Sequence, residues 1–168
     1  MLLTDFNQSA PSDAITALEH CCTATRWAKL LVERRPFASL DALHQAAEAA
    51  WSEMQEADWL EAFAGHPKIG DVSSLRAKYA HTHQLASGEQ ASVQHADEAV
   101  LRRLAEGNNA YEDKFGFIFI VCATGKSAAE MLALLEARLP NSRAQELANA
   151  AKEQGKILHI RIDKRFSV

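Results

Sequence analysis

The sequence predicts an all-α fold, a single-domain bundle of about eight helices with a buried apolar central segment. Three observations point there. Glycine and proline are scarce, seven and four in 168 residues. Nearly every alanine-rich stretch repeats its apolar residues at helical rather than alternating spacing. Two segments, Ser87-Gly-Glu-Gln90 and Ser127-Ala-Ala-Glu130, have the capping-box pattern that opens a helix.

The elements follow in order. Ser12 and Asp13 can cap a first helix whose Ile15, Leu18 and Cys22 fall at i, i+3 and i+7. A second runs from about Ala24 to Arg34 with Trp27, Leu30 and Leu31 inward, and Pro36 prevents its continuation. Ser39 starts a third, which buries Leu43, Ala47, Ala50 and Trp51. A fourth, around Glu56 to Ala64, offers Trp59, Leu60 and Phe63 and stops at Gly65. A short piece covers Ser74 to Ala80. Ser87 opens a long helix with Val93, Ala96, Val100, Leu101 and Leu104 as its stripe, extended by Tyr111. Ser127 opens another, ahead of Met131, Leu134, Leu135 and Leu139; Pro140 interrupts it, and Ser142 recaps a last helix carrying Leu147, Ala151, Leu158 and Ile162. Phe115 to Ala123 has the composition of a buried strand with no visible partner strand, and reads as a buried helix or an extended segment through the bundle.

Composition narrows the function classes. Eighteen basic side chains against twenty-two acidic ones leave a formal charge of −4, the wrong sign for a general polyanion binder. The longest apolar run, Phe115 to Ala123, falls far short of the roughly 18 residues of a membrane span. Met1 to Asp13 carries acids and no basic stretch, unlike a signal peptide. Three cysteines, two of them adjacent at Cys21 and Cys22, do not make a disulfide framework. A reduced, cytoplasmic location without nucleic-acid or membrane partners is expected.

Three residues stand out chemically. His66 precedes Pro67, which pushes it out of the α region and mounts its imidazole on a stiff loop past a helix end. That suits proton transfer near neutral pH, and it equally suits a surface-loop histidine. Glu89 lies in a first helical turn, where the macrodipole favours an acid without any function; it would also serve as the carboxylate that orients an imidazole. Arg161, between Ile160 and Ile162, would be partly buried and so need an anionic or carbonyl partner, internal or bound.

Other motifs fail on spacing. Gly125-Lys126-Ser127 follows an apolar segment and opens a helix, but Ile120 stands where a phosphate-binding loop needs its first glycine. His81 and His83, with His95 beyond, do not share a helical face and no thiolate or carboxylate pattern completes a metal set. Cys22 and Cys122 have no setting that would lower a thiol pKa and read as core.

Together the segments resemble one family. Cys21-Cys22 with Trp27-Ala28, Arg35-Pro36-Phe37, His66-Pro67-Lys68-Ile69-Gly70 and Glu89-Gln90 occur in its order. Asn109 and Tyr111 then lead to Lys114-Phe115-Gly116-Phe117, followed by Gly125-Lys126, Arg138-Leu139 with Asn141, and Lys156-Ile157 with Arg161. The chain resembles the 2-oxo-4-hydroxy-4-carboxy-5-ureidoimidazoline (OHCU) decarboxylases, which complete uric acid oxidation by forming (S)-allantoin. The resemblance implies an all-helical fold, no cofactor, no metal, a small-molecule substrate and often a homodimer. It implies that His66 is the catalytic acid/base and Glu89 its partner. Pro67, the stretch of Ala86, Ser87, Gly88 and Gln90, and the backbone of Phe117, Ile118, Phe119, Ile120 and Val121 would line the substrate, and Arg161 would bind it. The family commonly has a serine three residues before the glutamate; this chain has Ala86, with Ser87 offset by one.

The implied chemistry needs no prosthetic group. The substrate carries its carboxylate on a carbon that bears a hydroxyl and adjoins an imine-like ring position, so the molecule contains its own electron sink. The protein has to orient the scissile bond, manage the hydroxyl proton and protonate one face. Two rival readings have their own signatures: a helical module that binds a small ureido heterocycle without reacting, and a metal-dependent ureido hydrolase built on the histidines near His81.

Overall fold

The computed structural model of the chain describes residues 1–68, 71–79 and 90–168, with the backbone alone at 78 and 90–97. All regular elements among the described residues are helical: α1 (Leu3–Gln8), α2 (Pro11–Glu19), α3 (Thr25–Glu33), α4 (Leu40–Ser52), α5 (Glu56–Ala64), α6 (Val72–Lys78), α7 (Gln90–Phe115), α8 (Ala128–Arg138) and α9 (Arg143–Arg165). The all-α expectation holds. No helix among the described residues is long and apolar enough to cross a membrane. The helices fall into two compact units, one formed by residues 1–66 and 147–168, the other by 67–146.

In the first unit, α1 is an element that periodicity did not reveal, because six residues hold only two inward positions, Leu3 and Phe6. Its tie to the rest is polar as well as apolar. The Arg35 guanidinium donates to the carbonyls of Phe6 (2.6 Å) and Ser9 (2.9 Å), and the Asn7 amide pairs with both backbone groups of Phe37 at 2.9 Å. Helix α2 begins at Pro11 after Ala10, earlier than the Ser12–Asp13 cap expected, since proline is preorganised for the first helical position and has no N–H to satisfy. Helices α3, α4 and α5 match the expected elements to within a residue or two. Ser39 Oγ accepts from the Ala42 amide as the predicted cap of α4. The core joins Trp27, Leu31, Leu43 and Ala47 to Leu158 and Ile162 of α9. The indole N–H of Trp27 is buried and satisfied by the Ala47 carbonyl at 3.1 Å.

In the second unit, the short helix α6 begins at Val72, before the Ser74 start expected, because Asp71 caps it, its carboxylate accepting from the Ser74 amide at 2.7 Å. Hydrogen bonds from the Ser74 amide and hydroxyl hold the exposed carboxylate in its charged form and lower the Asp71 pKa. The Ser87 cap of the next helix lies outside the described residues; α7 is described from Gln90, buries Leu101 and Leu104, includes Tyr111 as expected, and runs on to Phe115, the first residue of the apolar run. Ser127 Oγ accepts from the Glu130 amide and opens α8. Ser142 and Gln145 exchange hydrogen bonds (3.2 and 2.9 Å) as a reciprocal box at the start of α9.

Between α7 and α8 the apolar run is extended, the second of the two forms expected. Gly116 (φ +82°) turns the chain out of α7 and Gly125 (φ +75°) turns it toward α8, conformations that a side chain would strain. Phe117, Ile120 and Cys122 are buried, whereas Ile118, Phe119 and Val121 are half-buried. Side chains stand in for a partner strand: Arg138 Nη1 donates to the Ile120 carbonyl (2.8 Å) and Lys126 Nζ to that of Cys122 (2.7 Å). Arg138 is itself fixed by the fully buried Glu146, which also receives the Tyr111 hydroxyl (2.6 Å) and the Asn141 amide (2.9 Å). Burial and the neighbouring carboxylate push the Tyr111 phenol well above its ordinary value, so it stays protonated and donates.

Candidate active site

His66 is mounted by the end of α5. Gly65 caps that helix, its amide bonding to the Ala62 and Phe63 carbonyls, and the His66 amide follows onto Phe63 at 3.1 Å. The Thr23 hydroxyl donates to the carbonyl of Glu61 (3.1 Å) and faces that of Ala62 (3.4 Å), covering the last turn. There is no room at Gly65 for more: a Cβ would lie 2.1 Å from Thr23 Oγ1. The absent side chain lets Thr23 close over the turn and sets where the imidazole leaves the backbone.

Helix α9 supplies what the imidazole meets. Gln154 and Arg161 are seven residues apart, close to two helical turns, and so project from the same face. Leu158 and Ile162 bury the helix on that side, and the Trp51 indole donates to the Ala151 carbonyl at 2.9 Å. Gln154 Oε1 lies 2.5 Å from His66 Nε2, and Arg161 Nη2 lies 3.4 Å from His66 Nδ1. The other arm of the guanidinium reaches the Cys21 carbonyl at 3.5 Å. Arg161 is half-buried and has carbonyl and imidazole partners within the chain.

This chain of contacts has one consistent direction. A guanidinium only donates, so His66 Nδ1 must carry a lone pair toward it. The ring proton is then on Nε2, and Gln154 must turn its oxygen to that proton. The imidazole is therefore neutral. Burial lowers the His66 pKa below 6.5 and the Arg161 charge lowers it further, with the Gln154 hydrogen bond acting against both. Burial also pushes the nearby thiols up, Cys21 to about 11 and Cys22 to about 12, so neither is a nucleophile near neutral pH. Among the described residues no group of three His, Cys, Asp or Glu side chains could hold a metal ion.

The resemblance gave His66 a partner in Glu89, which lies outside the described residues, and gave Arg161 to the substrate; that Arg161 meets His66 is a finding of the structure. Comparison with known proteins decides the kinship. The OHCU decarboxylase family matches residues 7–163. The chain belongs to the OHCU decarboxylase family. It is similar to the uric acid degradation bifunctional protein TTL of Arabidopsis thaliana, 37% identical over 147 residues, which are 88% of this chain and 45% of that protein. This chain thus spans less than half of that bifunctional relative. It is also similar to the 2-oxo-4-hydroxy-4-carboxy-5-ureidoimidazoline decarboxylase of Halalkalicoccus jeotgali, 26% identical over 167 residues, covering 98% of this chain and 91% of that one. A crystal structure of OHCU decarboxylase in the presence of (S)-allantoin superposes with a TM-score of 0.67 at 35% identity, over 86% of this chain and 92% of that chain. The crystal structure of (S)-allantoin synthase shares the fold, with a TM-score of 0.71 at 20% identity over 99% of this chain and 54% of that one.

Against the OHCU decarboxylase pattern, the described residues join His66 and Arg161 in the first unit. Pro67 follows His66 and is exposed. Phe117, Ile118, Phe119, Ile120 and Val121 form the extended segment of the second unit. Gln90 begins the described part of α7, its side chain not described, and Ala86, Ser87, Gly88 and Glu89 lie outside the described residues, as do His81 and His83. Gln154 is the residue that sequence reading missed. Its signal was a polar amide on the apolar face of α9, two turns before Arg161, and only the fold shows that His66 meets it.

Proposed function

We propose that this chain decarboxylates 2-oxo-4-hydroxy-4-carboxy-5-ureidoimidazoline to (S)-allantoin in uric acid degradation, without a cofactor. The observation that carries the reading is the neutral imidazole of His66 beneath the Arg161 guanidinium, on a chain whose family match runs over residues 7–163. The same reading takes residues 1–168 as one functional domain, cytoplasmic, acting on a small molecule and associating as a homodimer.

In this reading the substrate draws Arg161 to its carbonyl oxygens, where negative charge grows as CO₂ leaves. Pairing with the departing carboxylate would instead stabilise the ground state and slow the reaction. As Arg161 turns to the substrate, Nδ1 of His66 is left free to take the hydroxyl proton. The carbon–carboxylate bond breaks, its electron pair enters the ring toward the imine-like nitrogen, and CO₂ departs. The protonated imidazole, or an acid it relays to, then delivers its proton to one face of the ring carbon, which makes the product (S), and the ring nitrogen that received the electron pair takes a proton from water. Glu89 would hold the ring in its charged form, and Pro67, Ala86, Ser87, Gly88, Gln90 and the Phe117–Val121 backbone would line the heterocycle. Glu89→Gln separates that role from a dipole role: loss of turnover at unchanged melting temperature supports catalysis.

The test is to generate the labile substrate in situ with urate oxidase and the hydrolase, then follow circular dichroism. The chain should accelerate the appearance of optically active allantoin. A racemic product in the presence of chain removes the reading, since spontaneous decay already yields it.

A further inference from the structure

Gln154 is fully buried. Its Oε1 is engaged by His66, while its Nε2, also buried, has no hydrogen-bond partner among the described residues. An unsatisfied buried donor is a standing penalty that folding alone would remove by placing leucine or methionine here, residues of similar volume with no donor to satisfy. Apart from Arg161, its neighbours on this side of α9 are apolar, with Ala151, Leu158 and Ile162 all buried. The amide is therefore retained for its oxygen, and its oxygen has one partner.

We propose that Gln154 is a positioning residue, whose carboxamide oxygen holds His66 as the Nε2–H tautomer and presents Nδ1 as the basic nitrogen on the Arg161 side. The inference rests on the proposed role of His66 for its consequence, though not for its test. Without an acceptor at Nε2, only the 3.4 Å Arg161 contact opposes a proton on Nδ1, and that opposition ends when Arg161 turns away. A proton on Nδ1 removes the lone pair that would accept one. A neutral amide does this without adding charge, so the imidazole stays neutral and its proton affinity is left to the substrate's withdrawal of Arg161. Among the described residues, Gln154 and Arg161, both from α9, hydrogen-bond the ring, and the Cys21 carbonyl shares the guanidinium.

Nitrogen-15 spectra of the full chain, with His66 assigned through His66→Asn, read the tautomer directly and need no substrate. In the unsubstituted chain His66 should show a protonated Nε2 and a pyridine-like Nδ1. Gln154→Leu should mix or reverse the tautomers and lower kcat/KM by about 10- to 100-fold, the range seen when a histidine loses the partner that orients it. Its melting temperature should stay within a few degrees. Gln154→Glu keeps an acceptor of the same shape; it should keep the tautomer and move the acid limb of the pH–rate profile to higher pH. An unchanged His66 tautomer in Gln154→Leu overturns the proposal, whether or not the chain decarboxylates. A lost tautomer preference in a chain with no decarboxylase activity upholds the positioning and removes only the proposed function.

Discussion

Arg161 Nη2 and His66 Nδ1 stand 3.4 Å apart across 95 residues of sequence, a cation set against the one free lone pair of a neutral imidazole. The contact is compatible only with the unprotonated ring. It makes His66 a poor base until something else takes the guanidinium, which in the proposed reading is the substrate.

Replacing His66 by Asn keeps a polar side chain of moderate size beside Gln154. General acid–base transfer contributes about 10²–10⁴-fold, so the allantoin dichroism rate should fall into that range while the far-ultraviolet spectrum stays helical. A rate within a factor of two of the parent would exclude His66 from the chemistry.

Arg161→Gln removes the charge that lowers the His66 pKa. The acid limb of kcat/KM should therefore move to higher pH. If Arg161 grips oxygens that gain charge in the transition state, kcat falls as well; a rise in KM alone would identify uniform binding.

Stability should carry the same signature with a definite sign. The His66 pKa is below its unfolded value of 6.5, so between those two values the unfolded chain binds more protons. The contribution is fully present above about pH 6.5, declines as pH falls below it, and levels off beneath the folded pKa. His159, lowered by burial and by His44, acts in the same direction. Urea titrations at pH 5 and pH 7.5 should differ less in His66→Asn than in the parent chain.

Gly65→Ala would drive a methyl into Thr23, with Oγ1 at 2.1 Å and Cγ2 at 2.6 Å. Overpacking of this kind costs about 1–3 kcal/mol, and here it would also shift the residue that carries the imidazole. Adding Thr23→Ala removes those two atoms and leaves only the Thr23 Cβ position, at 2.8 Å. The double variant should be less destabilised than the sum of the two single ones, and a strictly additive cycle would show that the clash relaxes elsewhere.

In the second unit, Glu146→Ala strands Arg138 and unties the Ile120 carbonyl. Breaking a buried ion pair by removing one partner costs about 3–5 kcal/mol, which should appear as a large fall in the denaturation midpoint. Amides of the 117–121 segment should exchange faster. A loss below about 1 kcal/mol would mean that the network is not what holds the segment.

Much of the helical architecture is legible in the sequence, because helices of nine or more residues repeat their apolar positions often enough to be seen. Ser39, Ser127 and Ser142 mark helix starts that the structure contains, each by a hydroxyl accepting an orphan amide. Helix α1 escaped because Leu3 and Phe6 are too few to make a period, and its hold on Phe37 runs through Asn7. The apolar run of 115–123 has the composition of a buried helix and of an extended segment alike; Phe115 ends α7, and Gly116 and Arg138 set the path of the rest.

The site divides along the same line. Sequence alone determined that His66 sits on a stiff loop past a helix end and that Arg161 has to find a partner, for both follow from neighbours one residue away. Only the tertiary structure decided that the two meet, that Gln154 takes the opposite ring nitrogen, and hence which nitrogen carries the proton. Local preferences act over a few residues, whereas hydrogen-bond direction depends on which donors and acceptors folding places within about 3 Å of one another.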